Sequence, residues 1–135
     1  MPSQPAAVDI SHFHAMTGGD GELQAEIIGL FRQQAQIWAR LLIPDAPVQT
    51  WKDAAHTLKG SARGLGLWPL AQACADAELL ATSGQKDGPA ITAGLAKARA
   101  ALEEALEALQ AAVLSPAALV PNLPETGMDF AGLSR

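Results

Sequence analysis

Residues 55–66 read AHTLKGSARGLG, from Ala55 to Gly66. At about 100° of rotation per residue, Leu58, Ala62 and Leu65 fall on one side of a helix together with Trp51, Ala54 and Ala55. Lys52, His56, Lys59 and Arg63 fall within a stripe of roughly 60° that points away from that apolar side. The spacing therefore predicts an amphipathic helix that starts near Pro47, a residue tolerated in a first turn, and ends at Gly66. Its outer face carries a histidine among cations. Gly60 and Gly64 lie beside the same stripe, and each costs up to about 1 kcal/mol of helix propensity relative to alanine. A glycine next to His56 leaves a shaved surface that a bulky partner can approach. That explains Gly60; for Gly64, access and close packing against a neighbouring helix are both open.

Outward from this segment the chain reads as helices without strands, up to about Leu114. Aromatic residues make up 4% of the sequence and tyrosine is absent, while Ala, Leu and Glu recur, which favours helix over strand. A first long helix is predicted from Asp20, as N-cap, to Leu42, with Pro44 as its stop. Its apolar stripe is Leu23, Ile27, Leu30, Phe31, Gln34, Trp38, Leu41 and Leu42. Before it, Val8, Ile10 and Phe13 form a short apolar cap for one end of the molecule, with Gly18 and Gly19 as the turn. A further helix starts near Trp68, turns Leu70, Cys74, Ala77 and Leu80 or Ala81 inward, and breaks at Ser83-Gly84. The last opens at Asp87-Gly88-Pro89 and runs to about Leu114 with Ile91, Leu95, Ala98, Leu102, Leu106, Leu109 and Val113 in a near-heptad stripe. At about 1.5 Å per residue it reaches about 39 Å.

Helices joined by short connections at 43–46, 66–68 and 83–88 imply an all-α fold, an antiparallel four-helix bundle with a short N-terminal capping segment or helix. The expected division is residues 1–7 as an N-terminal extension, 8–114 as the bundle and 115–135 as a proline-rich C-terminal tail. The tail reads mainly as a flexible extension, with Leu119, Val120, Met128 and Phe130 as candidates for packing back on the bundle in the other reading. A length of 135 residues with 49% hydrophobic content suits one domain with a real core.

Composition excludes several function classes. The net charge is −5, which argues against general affinity for nucleic acid or an anionic membrane. No apolar run is long enough to span a bilayer, and no basic segment followed by an apolar run marks a secretory signal, so a cytoplasmic location is expected. The single cysteine, Cys74, rules out an internal disulfide or a multi-cysteine metal site and reads as a small buried hydrophobe. His12 and His14 sit on the N-terminal turn, and no set of Cys, His, Asp or Glu with metal-ligand spacing surrounds His56. No orienting carboxylate lies on the His56 stripe, and neither GxSxG nor HExxH occurs, so hydrolase chemistry lacks support. Nucleophilic capture of a phosphoryl group fits better. A neutral imidazole nitrogen attacks phosphorus, and the transferred group, carrying nearly two negative charges, is met by Lys59 and Arg63.

The segment AHTLKGSARGLG, followed by LWPLAQACADAE at 67–78 and approached by GGDGELQAEIIGLF at 18–31, resembles the signature of histidine-containing phosphotransfer (HPt) domains, the intermediates of multistep two-component phosphorelays. The likeness spans roughly Val8 to Leu114. It implies that His56 accepts the phosphoryl group on Nε2, that Lys59 stabilises the phosphohistidine and that Gly60 keeps the histidine accessible. Leu58, Ala62, Leu65 and Leu67 match core positions and Ser61 a small polar one. Many relatives carry glutamine where this chain has Glu78, close to the histidine; a carboxylate there either repels the phosphoryl group, pairs with Lys59 or points away. Arg63 occupies a variable position, so its role is an electrostatic inference alone.

The resemblance further implies a phosphocarrier rather than an enzyme, without ATP-binding or autokinase machinery and without a cofactor of its own, Mg²⁺ being expected on the partner receiver domain. The implied partners are receiver domains of response regulators and hybrid histidine kinases, engaged by a monomer. Leu67, Trp68 and Ile10 or Phe13 are candidates for apolar contact with them, with a bundle-end cap as the other reading of Trp68. The alternative function is a non-transferring docking adaptor for receiver domains. A purely structural bundle, dimeric through its last helix, is a weaker rival.

Overall fold

The computed structural model describes residues 6–82 and 88–114. They form α1 (Ile10–Thr17), α2 (Gly21–Leu41), α3 (Val48–Leu65), α4 (Trp68–Thr82) and α5 (Gly88–Leu114), with no strand among the described residues. Helices α2 to α5 make the four-helix bundle, and α1 caps one end against α2 and α3. The expected tail at 115–135, the break at Ser83-Gly84 and the cap at Asp87 lie outside the described residues. So do residues 1–5 and the Val113 side chain. No described helix is long and apolar enough to cross a membrane.

Local signals set the helix ends. The Asp20 carboxylate accepts from the backbone N–H groups of Glu22 and Leu23 at 3.0 and 3.2 Å, satisfying donors that the first turn of α2 leaves without partners. Gly66 adopts φ 81° and sends its N–H back to Ala62 and Arg63, a left-handed C-cap that only glycine takes without strain. A side chain there would also strike His12 and the Asp9 carbonyl, so Gly66 both ends α3 and makes room for α1.

The core side of α3 is the one expected. Trp51, Ala54, Ala55, Leu58, Ala62 and Leu65 are all buried, and they meet Leu70, Cys74 and Ala77 of α4 and Leu95, Ala98, Leu102 and Leu109 of α5. Arg99 donates to the Leu42 carbonyl, while Arg32 Nη2 donates to Gln110 Oε1 at 2.8 Å. The two bonds put ascending residues of α2 against descending residues of α5, which is the antiparallel arrangement.

Helix α2 departs from expectation. Its buried face is Gln24, Ile28, Phe31 and Ala35, continued by Leu42, whereas Leu23, Leu30 and Leu41 are exposed, as is Ile37. Gln34 is exposed too, and Ile27 and Trp38 are half-buried. Phe31 and Leu42 are shared with the predicted stripe, and relative to it the buried face is rotated by roughly 70°. The sequence offers apolar residues over a wider arc than one core contact needs, and α2 packs against both α3 and α5. The face between those neighbours is the one that closes, with the small Ala35 at its centre. Its first turn is polar because α1 covers it: Gln24 Nε2 donates to Thr17 Oγ1 at 2.9 Å, and that hydroxyl donates to the Phe13 carbonyl at 2.9 Å. Buried amide and hydroxyl groups satisfied in this way escape the cost of an unmade bond.

Candidate functional site

Midway along α3, Ala55 and Leu58 are fully buried and anchor the helix so that His56 and Lys59 emerge on the side of α4. The His56 side chain is 69% exposed, yet its Nδ1 lies 2.8 Å from Glu78 Oε2 on α4. The Lys59 ammonium pairs with the other oxygen, Glu78 Oε1. Glu78 and Lys59 are themselves largely covered, at 16% and 18% side-chain exposure, so a nearly buried ion pair supports an exposed imidazole. Desolvation pushes the Glu78 carboxyl up, but hydrogen bonds from Lys59 and His56, with their charge, outweigh it and hold the group below its ordinary value.

That arrangement determines the state of the ring. An ionised carboxylate only accepts hydrogen bonds, so the proton of the neutral imidazole sits on Nδ1. Nε2 is left with its lone pair on a ring edge that points away from Glu78, on a side chain that is mostly exposed. The group is thereby set up as a nucleophile of fixed orientation. The His56 stripe of α3 carries no orienting carboxylate; the carboxylate comes from the neighbouring helix. Of the three placements open to Glu78, the structure has it paired with Lys59 and bonded to His56 as well.

The other residues singled out fall as follows. A side chain at Gly60 would meet nothing within 4 Å, and the same holds at Gly64, so neither glycine exists for close helix packing. Arg63 is exposed and makes no ion pair with another described residue; it stands a further turn along α3 and is not part of the His56–Glu78–Lys59 cluster. Cys74, one turn before Glu78, is buried, and burial first and the Glu78 charge second push its thiol up to about 12.

Around α3 the surface changes from charged to apolar. Going outward from His56, the rotation per residue brings Gly60, then Gly64, then Ser61 into view. There an open groove runs between α3 and α2, lined by Met16, Ile27, Leu30, Phe31, Ser61 and Gly64 among others. Leu30 is 56% exposed on its rim. Of the candidate apolar contacts, Leu67 and Phe13 are fully buried core residues and offer no outer surface, whereas Ile10 is half-buried. Trp68 is 38% exposed, but its indole N–H donates to Asp9 Oδ2 at 2.9 Å and its ring packs edge-on to His12 at 5.1 Å. These contacts favour the bundle-end cap reading of Trp68. The sequence does not mark this exposed apolar face because Leu23, Leu30 and Leu41 fit the periodicity of a core stripe equally well.

The Hpt domain family matches residues 22–112 of this chain. Among solved structures the chain is similar to histidine phosphotransferase ShpA from Caulobacter crescentus, determined by crystallography at 1.52 Å resolution. The two are 34% identical, with a TM-score of 0.64, over 87% of this chain and 100% of that one. No curated protein matches it significantly.

Proposed function

The chain belongs to the Hpt domain family, phosphocarriers that pass a phosphoryl group between receiver domains without ATP-binding machinery of their own, and from that premise we propose that His56 is the residue that carries the group. The observation that supports it is the 2.8 Å contact of Nδ1 with Glu78 on a side chain 69% exposed, which leaves Nε2 as a free nucleophile. A receiver phosphoaspartate donates to Nε2, and the loaded histidine later gives the group to an aspartate of another receiver.

Lys59, Gly60, Arg63 and Glu78 complete the proposed site. The Lys59 ammonium has three donors, enough to hold Glu78 and also meet a phosphoryl oxygen. Gly60 clears the approach, Arg63 contributes positive potential farther along α3, and Glu78 orients the ring. The partner supplies Mg²⁺ and much of the charge neutralisation, since the energy arrives already stored in the acyl phosphate. Receiver domains of response regulators and hybrid histidine kinases dock across the outer face of α3, covering His56, Gly60 and Gly64 and seating apolar residues in the α2–α3 groove. The protein acts as a monomer in the cytoplasm.

The test is transfer of label from a phosphorylated receiver to the full chain. Acid-labile label on the wild type and none on His56→Gln supports the reading. No label from any receiver of the source organism sinks it in favour of a docking adaptor.

A further inference from the structure

We infer that Glu78 keeps the Nδ1 proton on the ring after His56 is phosphorylated, so that the loaded residue is held as an N-phosphoimidazolium and acts as a strong donor. The inference rests on the reading of His56 as the phosphoacceptor and deepens it.

The step balances as follows. The Nε2 lone pair forms the N–P bond while the P–O bond to the donor carboxylate breaks, its electron pair leaving on that carboxylate. The ring entered neutral, with its proton on Nδ1; with both nitrogens substituted it is now a cation. It can release the Nδ1 proton to water and become a neutral phosphoimidazole, or keep it. In the neutral form the Nδ1 lone pair would face Glu78 Oε2, which lies 2.8 Å from it, and two acceptors at that distance repel. In the protonated form the same contact is a charge-assisted hydrogen bond. The proton does not pass to the carboxylate instead, because the Lys59 ion pair on Oε1 favours the ionised form. An amide in this position would rotate to donate to a bare Nδ1 and would accept either form; the carboxylate selects one.

The surroundings support the same assignment. From α4 the charged group at the ring is Glu78, since Asp76 bonds Gln72 instead. From α3, Lys52, Lys59 and Arg63 share the His56 stripe, and Asp53 is engaged with Gln49. On α1, His12 bonds the Gly64 carbonyl, and on α2, Arg32 bonds Gln110. Among the described residues Glu78 is the one acceptor bonded to the imidazole. A phosphoimidazolium releases a neutral imidazole that needs no further proton. Transfer to the next aspartate is therefore easy, and hydrolysis is quick by the same logic.

The experiment loads the full chain with phosphoramidate, which needs no partner, and assigns the His56 signal by its loss in His56→Gln. Decay of phospho-His56 is then followed from about pH 5 to about pH 9 in wild type, Glu78→Gln and Glu78→Asp, with ¹⁵N spectra reporting whether Nδ1 bears a proton. The expected result is a proton on Nδ1 in the phosphorylated wild type at about pH 8 and its loss in Glu78→Gln. The phosphohistidine of Glu78→Gln should live about ten-fold longer there, the effect of one unit of proton affinity, and converge with wild type near pH 5; Glu78→Asp should restore part of the wild-type profile. Coincident profiles in wild type and Glu78→Gln, or a bare Nδ1 in the phosphorylated wild type at neutral pH, overturn the inference. Loading of His56 by phosphoramidate without transfer from any receiver would count against the relay role alone.

Discussion

His12 Nε2 reaches the Gly64 carbonyl at 3.1 Å, joining α1 to the last turn of α3 on the surface that leads from His56 to the apolar groove. The same histidine packs against Trp68, and Asp9 accepts both the Trp68 indole N–H and the His12 backbone N–H. The capping helix is thus fastened by polar contacts at the chain reversal between α3 and α4, and Phe13 supplies its buried apolar anchor.

The bond from Trp68, with that from His12, holds the Asp9 carboxyl below its ordinary value of 3.8. A carboxylate so lowered adds stability that is fully present above its ordinary value and disappears as pH falls through the folded value. Trp68→Phe should speed amide exchange in α1 at neutral pH, and the difference from wild type should shrink in acid below pH 3.8. Equal exchange in the two proteins at neutral pH would remove the fastening role.

Lys59→Ala should reduce the yield or lifetime of phospho-His56 by about ten-fold, the equivalent of a charge-assisted hydrogen bond worth roughly 1.5 kcal/mol. Circular dichroism should show unchanged helix content. Wild-type lifetime and transfer in the variant would leave Lys59 without its assigned role.

Gly60→Leu adds a side chain where a Cβ meets open space, so the fold should tolerate it at a melting temperature near that of wild type. Transfer from a receiver should fall by at least about a hundred-fold through obstruction, the scale of a misplaced reactive geometry, while loading by the small phosphoramidate should persist. Unimpaired receiver transfer would mean that access is not the reason for glycine here.

The rotation of α2 separates adjacent leucine and phenylalanine positions. Phe31→Ala, in the core, should cost about 3–5 kcal/mol. Leu30→Ala, on the groove rim, should cost less than about 1 kcal/mol yet weaken receiver binding. Urea melts of the two variants check the first claim and titration with a receiver checks the second.

Cys74 should resist thiol reagents at about pH 8 while the chain is folded and react fully in denaturant, because its thiol is buried and pushed up to about 12. Rapid labelling of the native protein would show that the α3–α4 layer opens easily.

The helices were legible because each is written in a local code. Asp20, Gly18-Gly19 and Gly66 mark turns and ends, and the spacing of Trp51, Ala54, Ala55, Leu58, Ala62 and Leu65 left one possible core face for α3. His56 and Lys59 were legible for the same reason, as the outward complement of that face. On α2 the local code was ambiguous: apolar residues cover more than one stripe, and periodicity within a single helix cannot say which stripe meets a neighbour.

By itself, then, the sequence determined the helices, the inward side of α3 and the outward stripe of His56, Lys59 and Arg63, since these depend on rotation per residue and on capping chemistry within one segment. Only the tertiary structure decided that α2 turns Ile28 and Ala35 inward beside the expected Phe31 and leaves Leu23, Leu30 and Leu41 outside. It also decided that Glu78 meets His56 Nδ1 and Lys59 together, and that Gly64 borders a groove rather than a packed helix. Those outcomes depend on the rotation and axial offset at which separate helices pack, quantities set by the summed fit of side chains across interfaces and not by the pattern within any one helix.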